Sequence, residues 1–212
     1  MSLILVTAPS RYPVTLEEVK AHCRVETDDD DAYLDSLIEG ATACLDGAGG
    51  FLGRCLVQQT WELQLPYWPC ATPRWEFTTR YIPNGPNGQI EIPLPPLVSV
   101  TSIKHMDGAG DEQTIDSDQY LVAPRGWEPG IVQPIYGGTW PTSAYSRPDA
   151  IRIRFVAGYA SVVNGGLSGT IPRNIIQCIL KAIGSAYENR DQSVDMYIDK
   201  TLLAPSKLPV IA

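Results

Sequence analysis

The sequence predicts an α+β protein: a small helical core of two N-terminal helices and a long C-terminal helix, with an inserted antiparallel β segment and an extended C-terminal tail. Three observations predict it. Apolar residues recur every three or four positions before residue 50 and again around 175–187. The period falls to two at 57–65. The connections that follow are turn-length and carry no crossover helix, which favours antiparallel pairing. The implied organisation is residues 1–54 as the N-terminal helical part of the core, 55–165 as the β-rich insertion, 166–192 as the C-terminal core helix and 193–212 as the extended tail.

The first helix opens on Thr15-Leu16-Glu17-Glu18, a capping box in which the Thr15 hydroxyl and the Glu18 carboxylate each take one of the exposed backbone N–H groups. Leu16, Val19 and Cys23 share a face. A second helix begins near Asp29 to Asp31, carries Leu34, Leu37, Ile38, Ala41, Cys44 and Leu45 on one face, and stops at Gly47, Gly49 and Gly50.

Val57 to Leu65 alternates apolar and polar residues, the mark of a half-buried strand. Asn84-Gly85 and Asn87-Gly88 are tight-turn dipeptides ahead of a strand at Gln89 to Ile92. Val98 to His105 is rich in β-branched residues, and Asp107-Gly108 is expected to turn it toward a partner around Gln119 to Val122. Ile131 to Ile135 and Ile151 to Val156 complete five or six strands of an antiparallel sheet or small sandwich. The last helix starts after Thr170 with Pro172 in its first turn and reaches about Asn189. Its face of Ile175, Ile176, Ile179, Leu180, Ile183, Ala186 and Tyr187 is broad enough to pack on the first two helices. The prolines after Leu203 forbid one continuous helix in the tail.

The 212 residues are 44% hydrophobic and 19% charged, which excludes a disordered chain, and no run approaches the ~18 apolar residues of a membrane span. The 18 glycines and 18 prolines indicate many turns. A net charge of -8 argues against tight binding of DNA or an anionic membrane. Five cysteines without a CxxC pair exclude the common zinc and thioredoxin patterns, and Cys23, Cys44 and Cys178 occupy apolar helix positions. With an N-terminal apolar stretch too short for a secretory core, these thiols are expected to be reduced in an intracellular setting.

No catalytic constellation emerges. The two histidines, His22 and His105, are expected to be solvated or capped, and there is no GxSxG, HExxH or Walker loop. The acidic run Glu26, Asp28, Asp29, Asp30 and Asp31 lacks the alternating spacing and central glycine of a calcium loop, and acids are favoured at a helix start by the dipole. No metal, cofactor or catalytic residue is assigned. Trp61, Trp68, Trp75, Trp127 and Trp140 lie in the β segment; Trp61 takes a core phase, while the others suit protein interfaces or a stacking platform for sugars.

In fixed order along residues 13 to 190, several motifs resemble phage head-to-tail connector proteins. They are Pro13 to Lys20 with Cys23-Arg24-Val25 and Asp30-Asp31; Ala41 with Leu45; Gln58-Gln59-Thr60-Trp61; Leu94 to Val100 with Ile103; Phe155 to Tyr159; Ile171-Pro172 with Ile175-Ile176; and Tyr187 to Arg190. The resemblance implies a head-tail adaptor of a siphophage or gene transfer agent. Such an adaptor forms a ring in the neck of the virion, assembled in the bacterial cytoplasm, without an active site. It would join the portal protein to a tail-side stopper or terminator and let DNA pass through. Twelve copies follow from the resemblance alone. Gly184-Ser185 depart from the bulkier residues expected in the last helix.

Two sets of site residues follow. Leu202, Leu203, Leu208, Val210 and Ile211 of the proline-rich apolar tail are expected to dock on the portal. Glu26 and Asp28 to Asp31 are candidates to line the channel, where repulsion keeps DNA from sticking. The competing reading is a carbohydrate-binding or glycan-cleaving accessory domain built on the tryptophans.

Overall fold

The structure is a computed structural model that describes residues 1–68, 88–141, 147–159 and 171–208. Its chain divides into two compact units, one β-rich (residues 1–8 and 58–158) and one helical (residues 9–57 and 159–208), so the helical unit is interrupted in sequence by the β unit.

The helical unit contains α1 (Leu16–Cys23), α2 (Asp31–Leu45), α3 (Arg173–Glu188) and a short α4 (Lys200–Leu203). Both halves of the capping box form at α1: Glu18 N–H donates to Thr15 Oγ1 at 3.2 Å, and Thr15 N–H donates to Glu18 Oε2 at 2.9 Å. The apolar spacing of α2 buries Leu34, Leu37, Ile38, Ala41 and Leu45. They meet Ile175, Cys178, Ile179, Ala182, Ile183 and Ala186 of α3 in one core, which Val14, Val19, Leu52 and Leu56 complete. Gly184 is explained here: a Cβ at this position would sit 3.3 Å from the His22 imidazole of α1, so the missing side chain leaves room for that ring.

The tail is not extended across 193–208. Val194–Tyr197 and Ala204–Ser206 are 3₁₀ turns on either side of α4, and Val194, Ile198 and Leu203 are buried in the helical core. The prolines permit this because Pro205 occupies the first turn of a short helix, where no N–H is required. Asp199 caps α4, accepting from Thr201 N–H at 3.0 Å and Leu202 N–H at 3.3 Å. Asn174 ties it to α3, its Nδ2 donating to Leu202 O at 3.1 Å and Ser206 Oγ at 2.8 Å.

The β unit contains β1 (Ser2–Thr7), β2 (Gln59–Leu65), β3 (Ile90–Ile92), β4 (Leu97–Met106), β5 (Glu112–Ile115), β6 (Tyr120–Arg125), β7 (Glu128–Pro134) and β8 (Ile151–Ala157). They form antiparallel sheets in the orders β1-β2-β8-β4-β5 and β3-β7-β6. The strict alternation of β2 and β8 places Leu63, Ile153, Ile103 and Ile115 in one buried row across four strands. On the opposite face, Glu62 pairs with Arg154 at 3.0 Å, and Glu112 takes both Lys104 and Arg152.

Two strands depart from expectation. Ser2–Thr7 belongs to the β unit rather than to a helical N-terminal part, pairing with β2 from Ser2↔Gln64 to Leu5↔Trp61. The turn at Asp107 leads to Glu112–Ile115 rather than to residues 119–122, because Asp107 Oδ1 accepts from Ala109 N–H at 2.9 Å and Asp111 N–H at 3.0 Å and closes a tight loop. Tyr120–Arg125 pairs with β7 instead.

Candidate assembly interface

The acidic run sits at the entrance to α2 and is largely matched by the subunit's own cations. Lys20 Nζ of α1 lies 2.6 Å from Asp28 Oδ1 and 2.8 Å from Asp31 Oδ1, and these hydrogen bonds hold the Lys20 ammonium above its ordinary pKa. Asp30 faces the end of α3. It accepts from the Tyr187 hydroxyl at 2.6 Å and pairs with Arg190 at 3.1 Å; the Tyr187 hydrogen bond is the main reason its carboxyl falls below the ordinary value. The Arg190 guanidinium also lies over Tyr33 and Tyr187, 4.9 and 5.2 Å from their ring centroids. Glu26 and Asp29 are exposed and take part in no ion pair among the described residues. Sequence spacing does not reveal these partners, since Tyr187 and Asp30 are 157 residues apart.

The tail candidates separate. Leu203 is fully buried in its own subunit, so it presents no surface to a neighbour. Leu202 and Leu208 are half-buried; Leu208 N–H donates to Leu52 O at 3.3 Å, and the neighbouring Lys207 ammonium stands 4.0 Å from the Phe51 ring centroid. Val210 and Ile211 lie outside the described residues.

The tryptophans do not form an exposed platform among the described residues. Trp61 is buried on the inner face of β2. Trp140 is also buried, rather than free for an interface or a sugar platform: its indole N–H donates to Gly88 O at 2.6 Å and its ring stacks on half-buried Trp68 at 4.6 Å. Trp127, in the β6–β7 connection, is the exposed one. Trp75 lies outside the described residues. His105 is another correction. Expected to be solvated or capped at a strand end, it is buried in β4 with its ring 6.0 Å from Trp68, and burial lowers its pKa.

No group of three or more His, Cys, Asp or Glu side chains able to hold a metal ion occurs among the described residues, and no described helix is long and apolar enough to cross a membrane. What the two units offer is surface: an acidic helix entrance, an anchored tail and sheet edges. Sheet edges and an anchored tail are features of the class of proteins that assemble with other chains.

Comparison with known proteins gives that class a more definite form. Residues 13–102 match the family described as phage gp6-like head-tail connector protein. The match takes in α1, α2 and β2 and reaches into β4, and with them the motifs from Pro13 to Val100 on which the resemblance rests. The fold of the whole chain recurs in solved structures of gene transfer agent particles. A chain from the neck of an empty particle computed with C6 symmetry superposes with a TM-score of 0.69, and one from the virion of a native particle with 0.67. A chain from the neck of a native particle computed with C12 symmetry gives 0.64. Each is 20% identical, and the alignments cover 100% of this chain and 98% of the other. None of the curated proteins matches in sequence.

Proposed function

We propose that this chain is a structural head-tail adaptor of a phage or gene transfer agent particle, forming a ring in the virion neck that joins the portal to the tail and leaves a channel for DNA. The observation that carries the reading is the pairing of two likenesses: a connector-family match over residues 13–102 and a fold shared from end to end with neck chains. The symmetries of those neck structures, C6 and C12, are compatible with twelve copies. The glycan-binding alternative loses its support, because Trp61 and Trp140 are buried.

Within this reading the acidic entrance to α2 faces the channel, with Glu26 and Asp29 its unpaired charges. A net charge of -8 suits a wall that DNA must slide past, since it offers few of the phosphate contacts that hold DNA in place. The portal contact falls to the rest of the tail, Leu202 and Leu208 together with Val210 and Ile211, because Leu203 is taken up by its own core. Negative-stain microscopy of the purified chain, alone and mixed with the cognate portal protein, tests the proposal. Rings support it; monomers in both samples refute it.

A further inference from the structure

Among the described residues the two sheets of the β unit end in four strands, β1, β5, β3 and β6, and three of these edges are blunted. The β5 strand is four residues long and begins at Glu112, which is held by Lys104 and Arg152. Only three residues make up β3. The β6 strand carries Pro124 and Arg125. Short length, charge and proline are the usual devices that stop an open edge from pairing with another chain.

The β1 edge has none of these three, and its one irregularity, a register shift between Leu5 and Thr7, leaves Ser2 to Leu5 in regular pairing with β2. Its six residues, Ser-Leu-Ile-Leu-Val-Thr, include no charge and no proline, and at ~3.4 Å per residue they present about 20 Å of backbone. Ile4, Leu5 and Val6 remain 45%, 44% and 42% exposed, so both faces of the strand are apolar and open. Such an edge left bare is an aggregation site.

We infer that the outer edge of β1 is the strand by which one copy of this chain pairs with the next in the ring. The inference rests on the adaptor reading. Charge selects the occupant. Each copy carries -8, so bringing two copies together costs least at a surface that adds no charge of its own, and residues 1–10 contain no charged side chain at all. Symmetry selects the geometry. In a closed ring each subunit meets one neighbour with one surface and the other neighbour with a different one, so β1 receives a segment from elsewhere on the adjacent copy. Pairing of β1 with its own twin about a two-fold axis would close a dimer and end the assembly. Backbone hydrogen bonds supply the pairing, while Ile4, Leu5 and Val6 lose their contact with water.

Hydrogen–deuterium exchange of the wild-type chain, in the assembled ring and in the dilute monomer, tests this on residues 2–7. Assembly is expected to slow exchange there by about tenfold or more. Ile4→Lys, which adds the missing edge charge, is expected to weaken ring formation by about tenfold, while the neutral β-branched Ile4→Thr keeps it. Circular dichroism checks that both variants fold, and if Ile4→Lys does not, the wild-type exchange decides. Rings that form with exchange at residues 2–7 unchanged overturn this inference and leave the adaptor reading standing. So do rings that tolerate Ile4→Lys, protection that a ring already formed gains only on addition of a portal or tail protein, or protection in a two-copy dimer. A wild-type chain that forms no ring, alone or on the portal, overturns both.

Discussion

The Tyr187 hydroxyl donates a 2.6 Å hydrogen bond to Asp30 Oδ2, joining the last turn of α3 to the residue that precedes α2. This bond, with Arg190 beside it, lowers the Asp30 pKa below 3.8. A carboxylate depressed in the folded state stabilises the fold above its unfolded pKa, and the contribution is lost as pH falls through the folded value. Tyr187→Phe is therefore expected to lower the melting temperature at neutral pH. The gap to wild type should close at pH values below the folded pKa, where Asp30 is protonated in both proteins. Thermal unfolding of the two proteins across that range checks it; a gap independent of pH would mean that the phenol acts by packing alone.

Leu203 makes the tail part of the fold. Its side chain is fully buried among the residues of the helical core. Leu203→Ala is expected to cost about 2–5 kcal/mol by removing buried methyl groups and leaving a cavity. A truncation before residue 202 should destabilise the helical unit for the same reason, so it is a poor test of portal contact. A truncation after Leu208 keeps the buried residues and the Leu208–Leu52 backbone bond. Denaturant unfolding should show the first truncation destabilised and the second close to wild type, and loss of portal binding by the second would locate the contact beyond residue 208.

The contrast between these segments marks how far sequence reasoning reaches. The capping box at Thr15, the buried faces of α2 and α3 and the alternation of β2 and β8 were legible because each has one wet side and one dry side, which stamps a period on the sequence. The apolar run of β1 has no such period, because an open edge strand is wet on both faces. In β5 a single buried residue, Ile115, sets no pattern. Val194, Ile198 and Leu203 lie four and five residues apart, a spacing that no single helix face repeats, and Pro205 and Pro209 draw attention to where a helix must stop and hide the single turns at 194–197 and 200–203. At the acidic run the charge was legible and its neutralisation was not: Lys20 and Arg190 reach it only after the chain has folded.

Neighbouring glycines after α2 should respond oppositely to the same change. A Cβ at Gly50 would collide with the backbone of Leu45 and Asp46, where nothing flexible can yield. At Gly49 a Cβ meets nothing within 4 Å. Gly50→Ala is expected to destabilise by about 1–3 kcal/mol or more, as overpacking does, and Gly49→Ala to stay within about 0.5 kcal/mol of wild type. Urea unfolding of the two variants under one condition is the check. Equal stabilities would mean that the loop from Gly47 to Gly53 is not packed against the end of α2 as described.

Burial in β4 keeps His105 below its ordinary imidazole value of 6.5. Its Nδ1 has no hydrogen-bond partner among the described residues, its ring packs toward Trp68, and burial outweighs the opposing pull of the nearby Asp107 carboxylate. The unfolded chain therefore takes up a proton at a higher pH than the folded one. Stability rises with pH wherever the unfolded state binds more protons, so the full contribution is present above the unfolded pKa. It declines as pH falls from about 6.5 toward the folded value. His105→Phe keeps an aromatic ring and removes the titration. The wild type should lose more stability between neutral pH and pH ~5.5 than His105→Phe does, with the carboxylates common to both. Parallel pH profiles for the two proteins would show that His105 takes its proton as readily folded as unfolded, and that the space beside Trp68 is open to water.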